Sequence, residues 1–388
     1  MIEMFLVFLR LGLTSFGGPV AHLGYLREEC VARRRWLTDQ AYADLVALCQ
    51  FLPGPASSQA VFGVGFLRSG WRGGLAAWLG FALPSMILMI GLGMGLSWLP
   101  TIPGGVLTGL KLAAVGVVAH AVQKMAEAIC PDLRGKIVAL AAAGIALGWG
   151  GFVGQLAALA AGGWVGWLWF HPGQPREEWV TSASPVGARV WIPLTGFLLL
   201  LLLLPVLAFR LPDLRVEAFD RLYRAGSLVL GGGHVVLPWL NSLVVGQGWV
   251  EQDLFLAGYG AAQALPGPLF TFAGFLGASM PAPMGGLTGG LLAVTAIFLP
   301  SWLLVAGTLP IWARIRTLGR MGAVMKGLNT AVVGLLLAAL VHPIASSTVT
   351  TLGHLVFAGS VWLVLSFFRT PPWLVVVASA AAGWLALS

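Results

Sequence analysis

The sequence predicts an all-α polytopic membrane protein: an inverted-topology repeat of two homologous helical bundles with broken or re-entrant helices. Three observations carry this. Of 388 residues, 58% are hydrophobic and 9% charged, against about 25% charged in an ordinary soluble domain. The apolar residues fall in runs near the ~20 residues a spanning helix needs. And one phrase occurs twice: Gln50-Phe51-Leu52-Pro53-Gly54-Pro55 returns as Gln263-Ala264-Leu265-Pro266-Gly267-Pro268, 213 residues later.

Thirteen apolar segments are expected, near 4–26, 41–67, 71–99, 105–128, 136–150, 151–170, 190–209, 216–240, 254–280, 286–312, 322–343, 350–368 and 372–387. Met1-Ile2-Glu3-Met4 lacks a basic leader, so the first segment is expected to be retained. It carries Arg10, then Gly17-Gly18, then His22. An Arg well inside a span costs ~2.5–3.5 kcal/mol on insertion scales and must face protein, water or an acid. For Arg10 and its counterpart Arg224, the choices are an oxyanion or an acid such as Glu3, Glu217 or Asp220.

The second segment holds Asp44, the one acid expected inside a span, and then the first Pro-Gly-Pro. Neither proline donates an N–H, so the helix must stop there. The half-helix that restarts has unpaired N–H groups and a positive end, a ready anion site. Ser57 and Ser58 follow the first break and Thr271 the second, adding hydroxyl donors. The bland alternative is a kink for close packing. Gln50 and Gln263 stand one turn before each break, placed to bond freed backbone groups or a substrate. Lys111 lies in 105–128, and its repeat position holds Asn329, which suggests an asymmetric gate or an interfacial lysine. Segments 136–150 and 372–387 are short for full spans. Residues 171–189 form the most polar loop, and 190–209 reads as a linker helix. The second half then repeats the first: Arg224, the cluster Gly231-Gly232-Gly233, His234 and the second break.

The duplication extends beyond the phrase. Gly73-Gly74 matches Gly285-Gly286, Leu83-Pro84-Ser85 matches Leu299-Pro300-Ser301, and Gly116 matches Gly334, with offsets drifting only between 212 and 218. Repeats at 1–170 and 216–388 are therefore expected, joined by 171–215. Seven segments separate the two starts, which inverts the second copy in the membrane. Loop charges favour a cytoplasmic N-terminus, although Arg33-Arg34-Arg35 argues the other way.

These residues also resemble a family. Phe16-Gly17-Gly18-Pro19-Val20-Ala21-His22, Arg35-Trp36-Leu37 and Gln50 to Pro55 resemble the N-terminal half of the chromate ion transporter family. Gly226-Ser227 through His234, with Gln263 to Pro268, is similar to its C-terminal half. The resemblance covers roughly 5–125 and 216–340, and both halves in one chain match the family's long-chain members. It implies export of chromate from the cytoplasm through the inner membrane, driven by the proton gradient.

The expected substrate set is then Arg10, Gly17, Gly18, His22, Gln50, Gly54, Ser57, Ser58, Arg224, Gly232, Gly233, His234, Gln263, Gly267 and Thr271. Gating or coupling falls to Asp44, Lys111, Asn329 and the prolines Pro53, Pro55, Pro266 and Pro268. The expected partners are an inorganic oxyanion (chromate, with sulfate the rival), protons, the bilayer and a second copy of the chain. The charge of +8 belongs to topology-setting loops rather than to nucleic acid. Cys30, Cys49 and Cys130 have no metal or disulfide spacing, and no metal or cofactor is expected. The absence of HExxH, GxSxG, Walker Lys and paired intramembrane carboxylates weakens the alternative of a membrane-embedded enzyme. A helical scaffold without transport is the third reading.

Overall fold

The computed structural model describes residues 1–15, 18–98, 104–149, 151–170, 188–229, 236–312, 320–368 and 370–386, and every regular element among them is helical. Helix α1 (Ile2–Thr14) ends at Ser15, just before the first glycine cluster, and α2 (Gly18–Arg27) restarts after it, running into a π-helical turn at Glu28–Arg33. Helix α3 (Asp39–Phe51) is capped by Thr38, whose hydroxyl accepts the Ala41 amide at 3.2 Å. It stops where Pro53 and Pro55 withhold their donors. Helix α4 (Ala56–Trp98) begins directly after Pro55 and is bent at Ser69 and Gly70, so that 56–68 and 71–98 are two helices joined by a left-handed glycine. The half closes with α5 (Gly104–Ile129), α6 (Leu133–Trp149) and α7 (Gly151–Trp169), and α8 (Ala188–Arg210) connects the halves.

The second half repeats this order. It holds α9 (Leu214–Leu228), α10 (Val236–Leu240) with a π-helical turn Asn241–Val245, and α11 (Gln252–Ala264). A 3-10 turn Leu269–Thr271 then leads into α12 (Phe272–Ser279) and α13 (Gly286–Thr308). Helix α14 (Met321–Ala339), a π-helical turn Leu340–Ala345, α15 (Leu352–Phe367) and α16 (Pro372–Ala386) end it.

Among the described residues, five stretches are long and apolar enough to cross a membrane: Ala56–Gly95, Gly104–Ile129, Val190–Arg210, Gly286–Ile311 and Gly322–Thr348. The expected segments 41–67 and 254–280 are each split at their Pro-Gly-Pro turn.

The chain divides into two compact units, and each draws on both repeats. One comprises residues 1–94, 174–233 and 266–319, the other 95–173, 234–265 and 320–388. In the first unit the same contact is made twice. Gly12 of α1 lies against the Phe81 backbone of α4, and Gly226 of α9 lies against the Ile297 backbone of α13. Both pairs are repeat equivalents. The copies also meet through aromatics, with Trp78 and Trp302 edge to face at 4.5 Å.

In the second unit the halves clasp each other. Helix α5 of the first copy packs on α15 and α16 of the second, and α14 of the second packs on α6 and α7 of the first. Small residues permit the approach. Gly109 faces Gly383, and in the equivalent place Gly327 faces Gly162 and Gly166; a side chain at Gly327 would begin 2.6 Å from the Gly166 Cα.

Candidate functional site

Both proline breaks enclose a glycine with positive φ, +117° at Gly54 and +103° at Gly267, a conformation that L side chains avoid. Each turn docks on the opposite repeat. The Gly54 N–H donates to the Val229 carbonyl at 2.6 Å, and the Gly267 N–H donates to the Ser15 carbonyl at 3.1 Å. Val229 and Ser15 are themselves equivalents, each the last described residue before its glycine cluster. The exchange has the self-complementary form of a two-fold contact, residue i on j and j on i.

The Leu-Pro-Ser motifs complete it. An added methyl at Gly267 would begin 2.8 Å from Ser85 Oγ, and one at Gly54 would strike Ser301 Oγ and stand 2.7 Å from Gln59 Nε2. Each serine therefore lines the other copy's turn. The first turn of α4 and the 3-10 turn leading into α12 emerge from these glycine turns, so two positive helix ends belong to one unit.

The hydroxyls after the breaks differ. Ser57 and Ser58 are buried, and Ser58 Oγ has no hydrogen-bond partner. Thr271 Oγ1 is committed, donating to the Pro268 carbonyl at 2.7 Å. Gln59, one residue further into α4, is wholly buried; its Nε2 donates to the Pro53 carbonyl at 2.6 Å and approaches Ser301 Oγ at 3.4 Å. His22 is buried too, with Nε2 3.1 Å from the Ser15 carbonyl and its ring edge to face with Phe81 at 5.4 Å. Two residues on α2 and α4 thus hold the carbonyls that frame the crossing.

The two arginines have different partners. Arg224 forms an ion pair with Asp220, which is almost completely enclosed and whose Oδ1 is left without a partner. Arg10 is exposed and near the carboxylate of Glu29, which also bonds Arg33 and Arg34. Gln50 is exposed, whereas Gln263 bonds the Tyr259 side chain. Asp44 is buried and accepts from Gln40 at 3.3 Å. Gly18 opens α2, while Gly17, Gly232, Gly233 and His234 lie outside the described residues.

In the other unit Lys111 meets Asp253 of α11 at 2.8 Å, its side chain 13% exposed. Asn329 keeps an unpartnered, buried Oδ1. The acid inventory is therefore wider than Asp44 alone. Asp220 and Asp253 both pair with cations from helix positions that hydropathy alone does not single out, because each sits near a segment edge. Gln59 escapes sequence reasoning for another cause: its repeat counterpart is Phe272, so the duplication that exposes the other site residues is silent about it. The Leu-Pro-Ser repetition was the available signal for Ser85 and Ser301.

The sequence matches the family described as chromate transporter over residues 2–167 and 216–384. It is 30% identical to a chromate transport protein of Pseudomonas aeruginosa, over 99% of this chain and 92% of that protein. A chromate transport protein of Cupriavidus metallidurans is 27% identical over the same shares, 99% and 92%. A probable chromate transport protein of Synechococcus elongatus is 27% identical over 86% of this chain and 82% of its own. No solved structure matches the chain.

Proposed function

The chain belongs to the chromate transporter family, and on that premise we propose that it exports chromate from the cytoplasm across the inner membrane, with protons moving inward. The observation that carries the reading is the reciprocal docking of the two Pro-Gly-Pro turns. A repeat inverted about an axis in the membrane plane brings equivalent breaks together at its centre. Two half-helix ends then present first-turn N–H groups to one tetrahedral oxyanion, with Ser57 and Ser58 adding hydroxyls.

A partly buried anion gains up to ~2 kcal/mol from one helix end. Two ends hold it tightly enough to select it and loosely enough to release it. Arg224 supplies positive field, and its pairing with Asp220 ties that field to a titratable group. The ion pair Lys111–Asp253 serves as a gate element, since Asn329 provides no cation at the equivalent position. Alternating access exchanges the roles of the two copies.

The test is flux in proteoliposomes under an imposed pH gradient, with labelled chromate and labelled sulfate, for wild type, Arg10→Ala and Arg224→Ala. Chromate accumulation that collapses with the gradient is expected. Absence of flux for either anion overturns the transporter reading, and sulfate flux without chromate flux overturns the substrate. Full activity in both arginine variants removes them from the anion's surroundings.

A further inference from the structure

The carboxamide of Gln59 can be oriented without ambiguity. The Pro53 carbonyl only accepts, so the atom 2.6 Å from it is the nitrogen. The oxygen, Oε1, therefore points elsewhere, and it is enclosed without any hydrogen-bond partner. A buried acceptor left unanswered is destabilising, because it has lost its water and gained no donor. Here it stands at the first turn of α4, where the positive helix end invites an anion.

A bare tetrahedral dianion has only lone pairs, and it would meet Oε1 lone pair to lone pair. A singly protonated oxyanion has one O–H to give and three oxygens to receive bonds. The same turn supplies a matching donor: Ser58 Oγ is buried and unpartnered. We propose that the site takes its oxyanion in the singly protonated form, with Gln59 Oε1 accepting the anion's O–H and the Ser58 hydroxyl donating to one of its oxygens.

This rests on the reading of the α4 break as the anion site and adds a basis for selectivity. Chromate takes up a proton near neutral pH, whereas sulfate stays dianionic there. A neutral amide acceptor suits a monoanion better than a carboxylate would, because it adds no charge repulsion. The proton is read on one side only. At the equivalent places the second copy has Phe272, and Thr271 is already committed to Pro268.

The surrounding elements offer few competing titratable groups. None lies on α12 or α13. Helix α2 brings His22, bound to the Ser15 carbonyl, with Tyr25 and Arg27, and α9 brings Asp220, Glu217, Tyr223, Arg215, Arg221 and Arg224. Helix α3 brings Asp39, Tyr42, Asp44 and Cys49, α1 brings Glu3 and Arg10, and the remainder of α4 brings Arg68 and Arg72.

The experiment uses the full chain in proteoliposomes at equal pH on both sides, stepped across neutrality. Labelled chromate exchange gives the half-saturation concentration, and unlabelled sulfate gives the inhibition constant. In wild type, the half-saturation in total chromate should rise about tenfold per pH unit above the anion's own protonation range, while the sulfate constant stays flat. Gln59→Leu should flatten that slope and lower the chromate-to-sulfate preference about tenfold or more. Ser58→Ala should weaken both anions and keep the slope.

A wild-type half-saturation that does not move with pH overturns the proposal, and this result does not depend on any variant folding. Retention of slope and preference in Gln59→Leu also overturns it, as does a slope that vanishes in His22→Gln instead. Chromate exchange with any of these results leaves the transport reading intact. A lack of exchange in wild type removes both.

Discussion

Replacing Gly54 with alanine tests the crossed turns most directly. At φ +117° an L residue lies beyond even the left-handed helical well, a strain of ~1–3 kcal/mol. The new methyl would also strike Ser301 Oγ and stand 2.7 Å from Gln59 Nε2. Both neighbours are buried and both hold hydrogen bonds, so neither can swing aside freely. Overpacking of that kind costs ~1–3 kcal/mol. If the turn shifts to relieve the clash, the bond from Gly54 to Val229 weakens, a further ~1 kcal/mol. The sum is about 3–7 kcal/mol, enough to lower the melting temperature in detergent clearly and to abolish most chromate flux. The double variant Gly54→Ala, Ser301→Gly should return only the Ser301 part of the steric share, because the approach to Gln59 and the backbone strain remain. Unchanged melting and flux in Gly54→Ala would refute the geometry, and complete rescue by Ser301→Gly would refute the backbone part of the argument.

Other expectations follow from the remaining contacts. Asp253→Ala leaves Lys111 uncompensated inside a span and should destabilise by ~1–3 kcal/mol, discounted because Asp253 is half exposed. The apolar double variant Lys111→Leu, Asp253→Leu should melt closer to wild type than either single change. Gly327→Leu would force α14 away from Gly162 and Gly166, and should give a poorly folded protein by size-exclusion profile. Burial pushes the Glu29 carboxyl up, but the Arg34 hydrogen bond and the charges of Arg33, Arg34 and Arg10 win, and its pKa is lowered. The stability it contributes is thus full above the unfolded carboxylate pKa and lost as pH falls through the folded value. Melting temperature against pH should show an acid-side decline that Glu29→Gln removes.

Much of this architecture was legible because duplication and proline leave strong marks. The breaks at Pro53 to Pro55 and Pro266 to Pro268 could be placed from donor chemistry alone, and their pairing from the offset. The bend at Ser69-Gly70 was legible too, since the polar stretch Arg68 to Arg72 separates the expected segments 41–67 and 71–99. The partnership of α5 with α16 was not, being a contact set by small residues that recur throughout the chain. Arg224 illustrates a middle case. Its weighed alternative partner, Asp220, lies one turn away on the same helix, and local spacing was enough to name it. The Gln59 amide lay beyond reach because its meaning comes from which of its two ends is already taken.

The crossed turns also bear on assembly and ancestry. Gly54 finds its acceptor in the second half, Gly267 in the first, and α5 and α14 are each clasped by the helices of the other half. A polypeptide carrying one half would leave these partners unanswered and would have to borrow them from a sister chain. The fused gene therefore makes compulsory, at one-to-one ratio, a union that separate half-proteins must reach by encounter. Cutting this chain within residues 171–187 and expressing the pieces together should restore what neither piece holds alone.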